Sequence, residues 1–358
     1  MIDKIYSKFF IRILMVIFWI LIIISYVYSP IVTNLLPSKK TLNVYCWVDV
    51  IDENSIREFE KETGIDVNLS FYEHNFELFS KLEITQGRDY DLIFVTDFVI
   101  PLLIKANLLQ PIDSSKLDFW NDLEPALFNK EFDPGNKYSA PYQWDIYVVG
   151  YNKQLYPNGV PAKDWSLIFD KNIMPKHIGM LEESNEAFMV GAQYLYKNTN
   201  NITEEKLEKI KDLLIAQKPN VESYVDLRAS DLLSSGAAPV AVGQSAYITR
   251  PMKFNKNISF FVPSEGSFAV FDSFVIPKAS DKQELVYKFL NFANCKSSVK
   301  KVTERYCYLP NRKDLLVEGH YELGNYQQIQ DLLKTVSVFS TNIPIKKLNE
   351  CWMEVKSY

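Results

Sequence analysis

The chain has 358 residues, of which 47% are hydrophobic and 23% are charged, a composition typical of a globular protein with a buried core. This length is enough for two domains of about 150 residues each. The net charge of −5 and the pI of about 5.5 argue against a nucleic-acid groove and permit a cationic small ligand. The three histidines are too scattered to indicate a metal site or a histidine-based catalytic centre.

The N-terminus combines a basic flank with a long apolar run. Lys4, Lys8 and Arg12 precede an uncharged stretch at residues 13–32, which is long enough to span a bilayer as a helix. A basic flank before an apolar run is also the form of a secretory signal, which predicts export with the positive flank kept inside. We expect residues 1–37 to be either a cleaved signal peptide or a membrane anchor with its linker.

The four cysteines lie far apart and form no C-x-x-C pair. Cys46 alternates with hydrophobic neighbours, which favours a buried thiol. In an exported protein, a disulfide between two of Cys295, Cys307 and Cys351 is possible.

Predicted strands and helices alternate after the linker. A strand at 42–48 leads into a helix at 54–63, and Gly64 supplies the helix stop. The third strand, "DYDLIFVTD", is apolar in the middle and bounded by charges, as buried parallel strands are. The elements between and after them are the strand "IDVNLSFYE", the helix "NFELFSKLEITQG" and the broken helix "FVIPLLIKANLLQPID". This alternation, without Asn-Gly hairpins, predicts parallel β/α units.

A second set of β/α units begins after the turn at Pro134-Gly135. Two aromatic-rich strands are predicted within residues 133–152, and the set continues to about Ser267. Strand character then resumes in "FAVFDSFVIP", followed by a helix in "KQELVYKFLNFANC". This layout predicts two lobes that are joined by two or more crossovers.

Several polar and aromatic residues stand where predicted strands end. Trp47 follows the first strand, and Thr96, Asp97 and Phe98 follow the third. Ligands of open α/β sheets bind beyond the carboxyl ends of the strands, and in a two-lobed protein these ends face each other across a cleft. Trp47 is therefore placed like a cleft wall.

The chain resembles the periplasmic spermidine/putrescine-binding proteins of ABC importers. The resemblance rests on phrases that occur in the family's order between residue 42 and about residue 313: "LNVYCWVDVIDENSIREFEKETGIDV", "YDLIFVTD", "LLQPIDSSKL", "FDPGNKYSAPYQW", "VGYN" and "FDSFVIP". It implies the type II periplasmic-binding fold, which is α/β and two-lobed, closes on a polyamine in the interlobe cleft and docks on a membrane permease.

The resemblance also implies a set of ligand-binding residues. The family's aromatic after the first strand falls on Trp47, its hydroxyl-x-aromatic on Thr96 and Phe98, its acidic pair on Glu183 and Glu186, its crossover aspartate on Asp272, and its late tyrosine on Tyr308. Asp49 and Ser245 complete the candidate set, although Asp49 would also serve to cap the following helix. Asp272 stands inside the apolar run "AVFDSFVIP", where a carboxylate should be paired or functional.

Four positions depart from the family's pattern. Two expected tryptophans are Val242 and Val270, a tyrosine after Trp47 is Val50, and an acceptor near the C-terminus falls on Thr341. These changes keep the acids and predict a thinner aromatic box, so that the carboxylates would carry more of the selectivity.

These residue types suit a polyamine. Its ammonium groups need carboxylates and other oxygens to offset desolvation, and its methylenes need flat apolar walls. Aromatic faces attract the neighbouring cations by about 0.5 to 2 kcal/mol each. The half G-x-S-x-G elbow in "GQSAY" has Tyr247 in place of the second glycine and no histidine in context, so a hydrolase is not indicated.

We therefore expect the solute-binding subunit of a polyamine importer, without catalysis or cofactor, that acts as a periplasmic monomer. The predicted divisions of the chain are residues 38–147 and 272–313 for the first lobe, 148–271 for the second, and 314–358 for C-terminal helices. Two alternatives stay open: a binding protein for another cationic solute, and a membrane-anchored sensor or scaffold that has kept the fold. The choice between putrescine and spermidine also stays open.

Overall fold

The computed structural model describes residues 14–23, 40–199, 201–338 and 342–358. The strands are β1 Lys40–Cys46, β2 Ile65–Phe71, β3 Leu92–Thr96, β4 Leu109–Gln110, β5 Ser139–Asn152, β6 Ile178–Met180, β7 Val221–Tyr224, β8 Val240–Gln244, β9 Ile258–Phe261, β10 Phe268–Pro277, β11 Leu309–Pro310 and β12 Ser337–Val338. The helices are α1 at residues 14–23, α2 Glu53–Thr63, α3 Asn75–Thr85, α4 Ile100–Lys105, α5 Ser166–Phe169, α6 Ser184–Tyr196, α7 Glu204–Gln217, α8 Ala229–Ser235, α9 Ser245–Met252, α10 Gln283–Ala293, α11 Lys296–Tyr306, α12 Lys313–Glu318, α13 Tyr326–Leu333 and α14 Ile345–Ser357.

Half of the predicted apolar run at 13–32 lies outside the described residues. Its residues 14–23 form α1, whose apolar side chains are exposed. Within the described ranges, no helix has the length and apolar character needed to cross a bilayer.

The strands follow the order β2-β1-β3-β10-β5-β8-β6-β7. At one end, β1 pairs in parallel with β2 and β3, and at the other end β6 pairs in parallel with β7 and β8. Between them, β10 and β5 run antiparallel to their neighbours. We call the part around β1 to β3 the first lobe and the part around β6 to β8 the second lobe.

Helix α2 shows how the sequence forms the first lobe. The Asp52 side chain accepts a hydrogen bond from the Ser55 backbone N–H and so caps the start of the helix, while Gly64 ends it with φ +67°. Ile56 and Phe59 lie on the buried side and pack into the core beneath β1. Here the predicted helix and its stop agree with the structure.

The crossover strand β5 differs from the prediction. We expected two strands within residues 133–152, but Ser139–Asn152 form one continuous, fully buried strand. Its first half pairs with β10 and its second half with β8 and β9, so a single strand belongs to both lobes. Pro141 does not break it, because this proline lies next to an irregularity in β5, where Tyr142 has no partner between Asp272 and Ser273 of β10 and a strand tolerates a missing N–H.

The C-terminal helix α14 packs on α6 and α7 of the second lobe. Trp352 is buried there against Phe188 and Tyr224, in the same apolar core as β6 and β8. The end of the chain therefore supports the second lobe from outside.

All four cysteines are free, and Cys46 is buried as predicted. The disulfide left open among the other three is absent from this structure.

The Asp133 side chain stabilises the start of β5, and its replacement tests how much the crossover strand depends on it. Its buried carboxylate accepts hydrogen bonds from the backbone N–H groups of Lys137, Tyr138 and Ser139 and from the Ser139 hydroxyl. Asp133→Ala should lower the free energy of unfolding by about 2 to 4 kcal/mol, because it leaves buried donors unpaired. Urea denaturation measures this loss. The exposed neighbour Glu131 supplies the control Glu131→Ala, and a loss below about 0.5 kcal/mol for Asp133→Ala would contradict this role.

Candidate ligand-binding cleft

A cleft of about 560 Å³ opens between the lobes at the ends of the strands. The first lobe contributes side chains that directly follow or end strands, Trp47, Tyr72 and Thr96, and the crossover strand β10 contributes Asp272 from its middle. The second lobe contributes acids and aromatics: Glu182, Glu183, Glu186, Tyr224, Asp226 and Tyr247. Tyr308 closes one side. The predicted residues Trp47, Thr96, Glu183, Glu186, Asp272 and Tyr308 thus lie around one space.

Asp272 lies on β10 between two strands that both supply it with a donor. Gln143 of β5 donates its side-chain N–H to the Asp272 carboxylate at 3.2 Å, and the hydroxyl of Thr96 on β3 also donates to it. Burial raises the pKa of Asp272 to about 7 in spite of these hydrogen bonds. The carboxylate is therefore held in place but is not compensated by a cation.

Glu186 lies in the first turn of α6 and is 5% exposed. Burial raises its pKa well above the usual range, and the carboxylates of Asp226 and Glu183 raise it further. The Tyr147 hydroxyl hydrogen-bonds to it. Acidic residues are favoured in the first turn of a helix, where they are usually solvated. Glu186 differs from them because it is buried and its pKa is raised.

Glu183 is bound by the opposite lobe. One of its carboxylate oxygens lies 3.0 Å from Nδ1 of His74, and the other accepts a hydrogen bond from the Asn75 side chain at 3.2 Å. His74 and Asn75 belong to the start of α3 in the first lobe, whereas Glu183 precedes α6 in the second. This carboxylate therefore joins the two lobes across the mouth of the cleft.

Asp226 was not predicted. It comes two residues after β7 and lies in the cleft beside Glu183 and Glu186, where its carboxylate accepts a long hydrogen bond of 3.4 Å from the Glu182 backbone N–H. Burial raises its pKa to about 7, and the nearby charge of Glu183 adds to this. The available signal was its position after a strand, the same rule that selected Trp47 and Thr96.

Three of these carboxylates have no cation beside them. In the described part of the chain, no lysine or arginine forms an ion pair with Glu186, Asp226 or Asp272. Arg228 also lines the cleft but is exposed at its edge. The site can therefore neutralise its charge by retaining protons or by binding a cation.

Aromatic side chains line the walls. The ring of Trp47 lies 4.5 Å from that of Tyr72, and Tyr247 and Tyr308 meet across the cleft with their hydroxyl oxygens 3.1 Å apart. Tyr224 rests edge-to-face on Trp352 at 4.8 Å. These tyrosines supply several flat faces.

The valines at the two expected tryptophan positions lie away from the cleft. Val242 and Val270 are buried in the core of the second lobe, whereas Val50 lines the cleft. Tyr72, Tyr224 and Tyr247 provide aromatic walls from other positions.

The structure does not bring the remaining predicted residues to this cleft. The Asp49 carboxylate pairs with the guanidinium of Arg250 at 3.1 and 3.2 Å. The Ser245 hydroxyl donates to the buried Asp145 carboxylate, which also accepts from the Ala246 backbone N–H and caps α9. Phe98 lines a separate cavity beside Lys130. Thr341 lies outside the described residues.

Comparisons with known proteins agree with this arrangement. The family model for the bacterial extracellular solute-binding protein matches residues 54–322. The chain is 30% identical over 278 residues to the putrescine-binding periplasmic protein PotF of Escherichia coli, an alignment that covers 73% of this chain and 75% of PotF. It is 27% identical over 303 residues to the spermidine/putrescine-binding periplasmic protein of Salmonella typhimurium, covering 82% of this chain and 85% of that protein.

Among solved structures, the chain is similar to a putative spermidine/putrescine ABC transporter from Listeria monocytogenes. The TM-score is 0.80 at 28% sequence identity, and the match covers 89% of this chain and 99% of the other. This similarity confirms the predicted two-lobed α/β fold.

The His74–Glu183 contact predicts a measurable pKa. The hydrogen bond to Glu183 raises the pKa of His74 above its ordinary value and outweighs the opposite effect of partial burial. Its contribution to stability is therefore fully present below the unfolded value and is lost as the pH rises through the folded one. In an NMR titration, with the His74 resonance assigned through His74→Gln, Glu183→Gln should lower this pKa.

The chain offers a matched control in its other histidine–glutamate contact. Glu222 lies 2.6 Å from His177 on the surface of the second lobe, so Glu222→Gln should leave the pKa of His74 unchanged. An equal effect of both variants, or none from Glu183→Gln, would show that His74 and Glu183 are apart in solution.

Proposed function

The chain belongs to the bacterial extracellular solute-binding protein family, and from this membership we propose that it binds a polyamine for an ABC importer. Its similar relatives are named for binding putrescine or spermidine. The observation that carries the proposal is the set of three cleft carboxylates, Glu186, Asp226 and Asp272, which have no cationic partner among the described residues.

The chemistry of these carboxylates favours an elongated cation. A buried carboxylate without a partner is costly, and a ligand ammonium offsets that cost with both charge and N–H donors. The methylenes between ammonium groups would lie against Trp47 and the tyrosine faces, where each cation–aromatic contact adds about 0.5 to 2 kcal/mol. Thr96 and Tyr308 supply further oxygens at the same wall.

Ligand binding would favour the closed arrangement, because the binding groups come from both lobes. Asp272 lies on the crossover strand with Trp47 beside it in the first lobe, whereas Glu186 and Asp226 belong to the second. A ligand that touches both sides stabilises the state in which they are close. Three contacts between the lobes act in the same direction: Asp49 with Arg250, His74 with Glu183, and Tyr308 with Tyr247.

The remaining parts of the proposal concern location and partners. The chain would act at the outer face of the inner membrane, with residues 13–32 serving as an export signal or tether, and would deliver its solute to a membrane permease. It would work as a monomer and carry out no catalysis. Neither alternative is favoured, since the similar relatives are named as polyamine-binding proteins rather than as sensors or as binders of other cations.

Asp272→Asn tests the proposal directly. Putrescine should bind the full chain in isothermal titration, and the variant should bind it about 100-fold more weakly, because a buried ammonium would lose its charged partner. Asp281→Asn, at an exposed position after β10, is the matched control and should bind normally. Heat from a neutral diol of similar length, or unchanged affinity in Asp272→Asn, would count against a polyamine site.

The raised pKa values predict a dependence of affinity on pH. Protons compete with the ligand for Asp226 and Asp272, whose pKa values are both about 7, so each group should contribute about tenfold and affinity should rise about 100-fold from about pH 6 to about pH 8. In the ligand-free chain the sign for stability is opposite. A raised folded pKa contributes stability at low pH that is lost as the pH rises through about 7.

The increase in melting temperature on adding putrescine should therefore grow with pH. Asp272→Asn removes one of the two titrating groups and should flatten both profiles. An affinity that falls as the pH rises would contradict binding through these carboxylates.

A further inference from the structure

We propose that Asp226 makes the cleft selective for a triamine over a diamine. The inference rests on the proposed function and adds to it the identity of the residue that sets the preference. It follows from the number of uncompensated carboxylates and from where the extra one stands.

Five acids line the cleft on the second lobe and the crossover strand, and a sixth, Glu73 of the first lobe, is exposed to solvent. Glu182 is compensated, because Lys356 of α14 lies 2.9 Å from its carboxylate. Glu183 is compensated as well, since His74 and Asn75 occupy its two oxygens. Glu186, Asp226 and Asp272 are left, and a ligand with three positive charges matches this number.

Asp226 and Glu186 line the cleft from the second lobe, just after β7 and in the first turn of α6. The charges of Asp226 and Glu183 both raise the pKa of Glu186. Asp272 reaches the cleft from β10, where its donors come from Gln143 and Thr96, and its charge also raises the pKa of Glu186. The charge of the cleft is therefore uneven, with two carboxylates on the second lobe and one on the crossover strand.

This unevenness affects diamines and triamines differently. Two close carboxylates in a buried site do not both ionise unless a cation lies beside them. A diamine that engages Asp272 with one end brings a single ammonium to the pair, so one carboxylate keeps its proton. A triamine brings two ammonium groups to that side and neutralises both.

Unpaired polar atoms at the cleft are consistent with a ligand that carries additional donors. Gln143 is 3% exposed and gives its N–H to Asp272, and its Oε1 is buried with no hydrogen-bond partner among the described residues. Cross-strand neighbours point to the same face of a sheet, so Gln143 faces the cleft side together with Asp272. Gln244 and Tyr224 line the cleft, and the Oε1 atom of Gln244 and the hydroxyl of Tyr224 are also buried with no hydrogen-bond partner among the described residues. The extra ammonium of a triamine supplies N–H donors that a diamine lacks.

Isothermal titration of the full chain with spermidine and with putrescine at neutral pH tests the inference. The wild-type chain should bind spermidine more tightly, and in Asp226→Asn the ratio of the two affinities should fall by at least about tenfold, chiefly through weaker spermidine binding. Asp231→Asn, the same change at an exposed position on α8, should leave the ratio as it is.

The number of protons released on ligand binding is a second measurement, and a structural defect in the variant would not produce the expected change in it. Titrations in buffers of different ionisation enthalpy should show that spermidine displaces more protons from the wild-type chain than putrescine does. This difference should disappear in Asp226→Asn and persist in Asp226→Glu, which keeps the carboxylate. If Asp226→Asn does not melt cooperatively, Asp226→Ser takes its place as the neutral variant.

The outcomes separate the two claims. If neither amine binds the wild-type chain, the proposed function fails. If both bind but putrescine is preferred, or the ratio and the proton difference survive in the neutral variants, the function stands and the role of Asp226 is overturned.

Discussion

The site depends on carboxylates that the fold buries without supplying a counter-charge. Asp272 is the central case, because it lies on β10 within an apolar strand and is held only by the neutral donors of Gln143 and Thr96. A carboxylate in such surroundings is stabilised either by a proton or by a bound cation. The β-bulge beside Asp272 and the long strand β5 across from it fix this group at the junction of the two lobes. Under the proposed function, the residue that would bind the ligand therefore also lies where the two lobes join.

Two predicted ligand residues that lie outside the cleft, Asp49 and Ser245, make other contacts near α9. Asp49 pairs with Arg250 across the lobes, and the Ser245 hydroxyl satisfies Asp145 at the start of α9. The Asp145 carboxylate is fully buried, which raises its pKa to about 7 in spite of these hydrogen bonds. These polar groups use their hydrogen-bonding capacity to hold α9 in place rather than to face the cleft.

Sequence reasoning located residues whose position follows from their place in an element. Trp47 follows β1 and Thr96 ends β3, and both lie at the cleft. It misplaced Phe98, which lines the cavity beside Lys130, because the sequence does not show to which side of a strand end a side chain points. Asp226 was missed because its partners Glu183 and Glu186 are about forty residues away along the chain and approach only when β6 and β7 pair. We predicted two strands where β5 is continuous. The strand changes partners along its length without a turn, which the sequence pattern does not reveal.

The tyrosine walls change what the cleft can offer to a cation. Tryptophan presents a larger aromatic face, whereas tyrosine adds a hydroxyl that accepts and donates hydrogen bonds. Tyr247 and Tyr308 already use theirs on each other across the lobes, while Tyr224 has its hydroxyl unpaired among the described residues. Under the proposed function, tyrosines would serve both closure and ligand contact. Selectivity among polyamines would then depend on the number and spacing of the cleft carboxylates together with the aromatic walls.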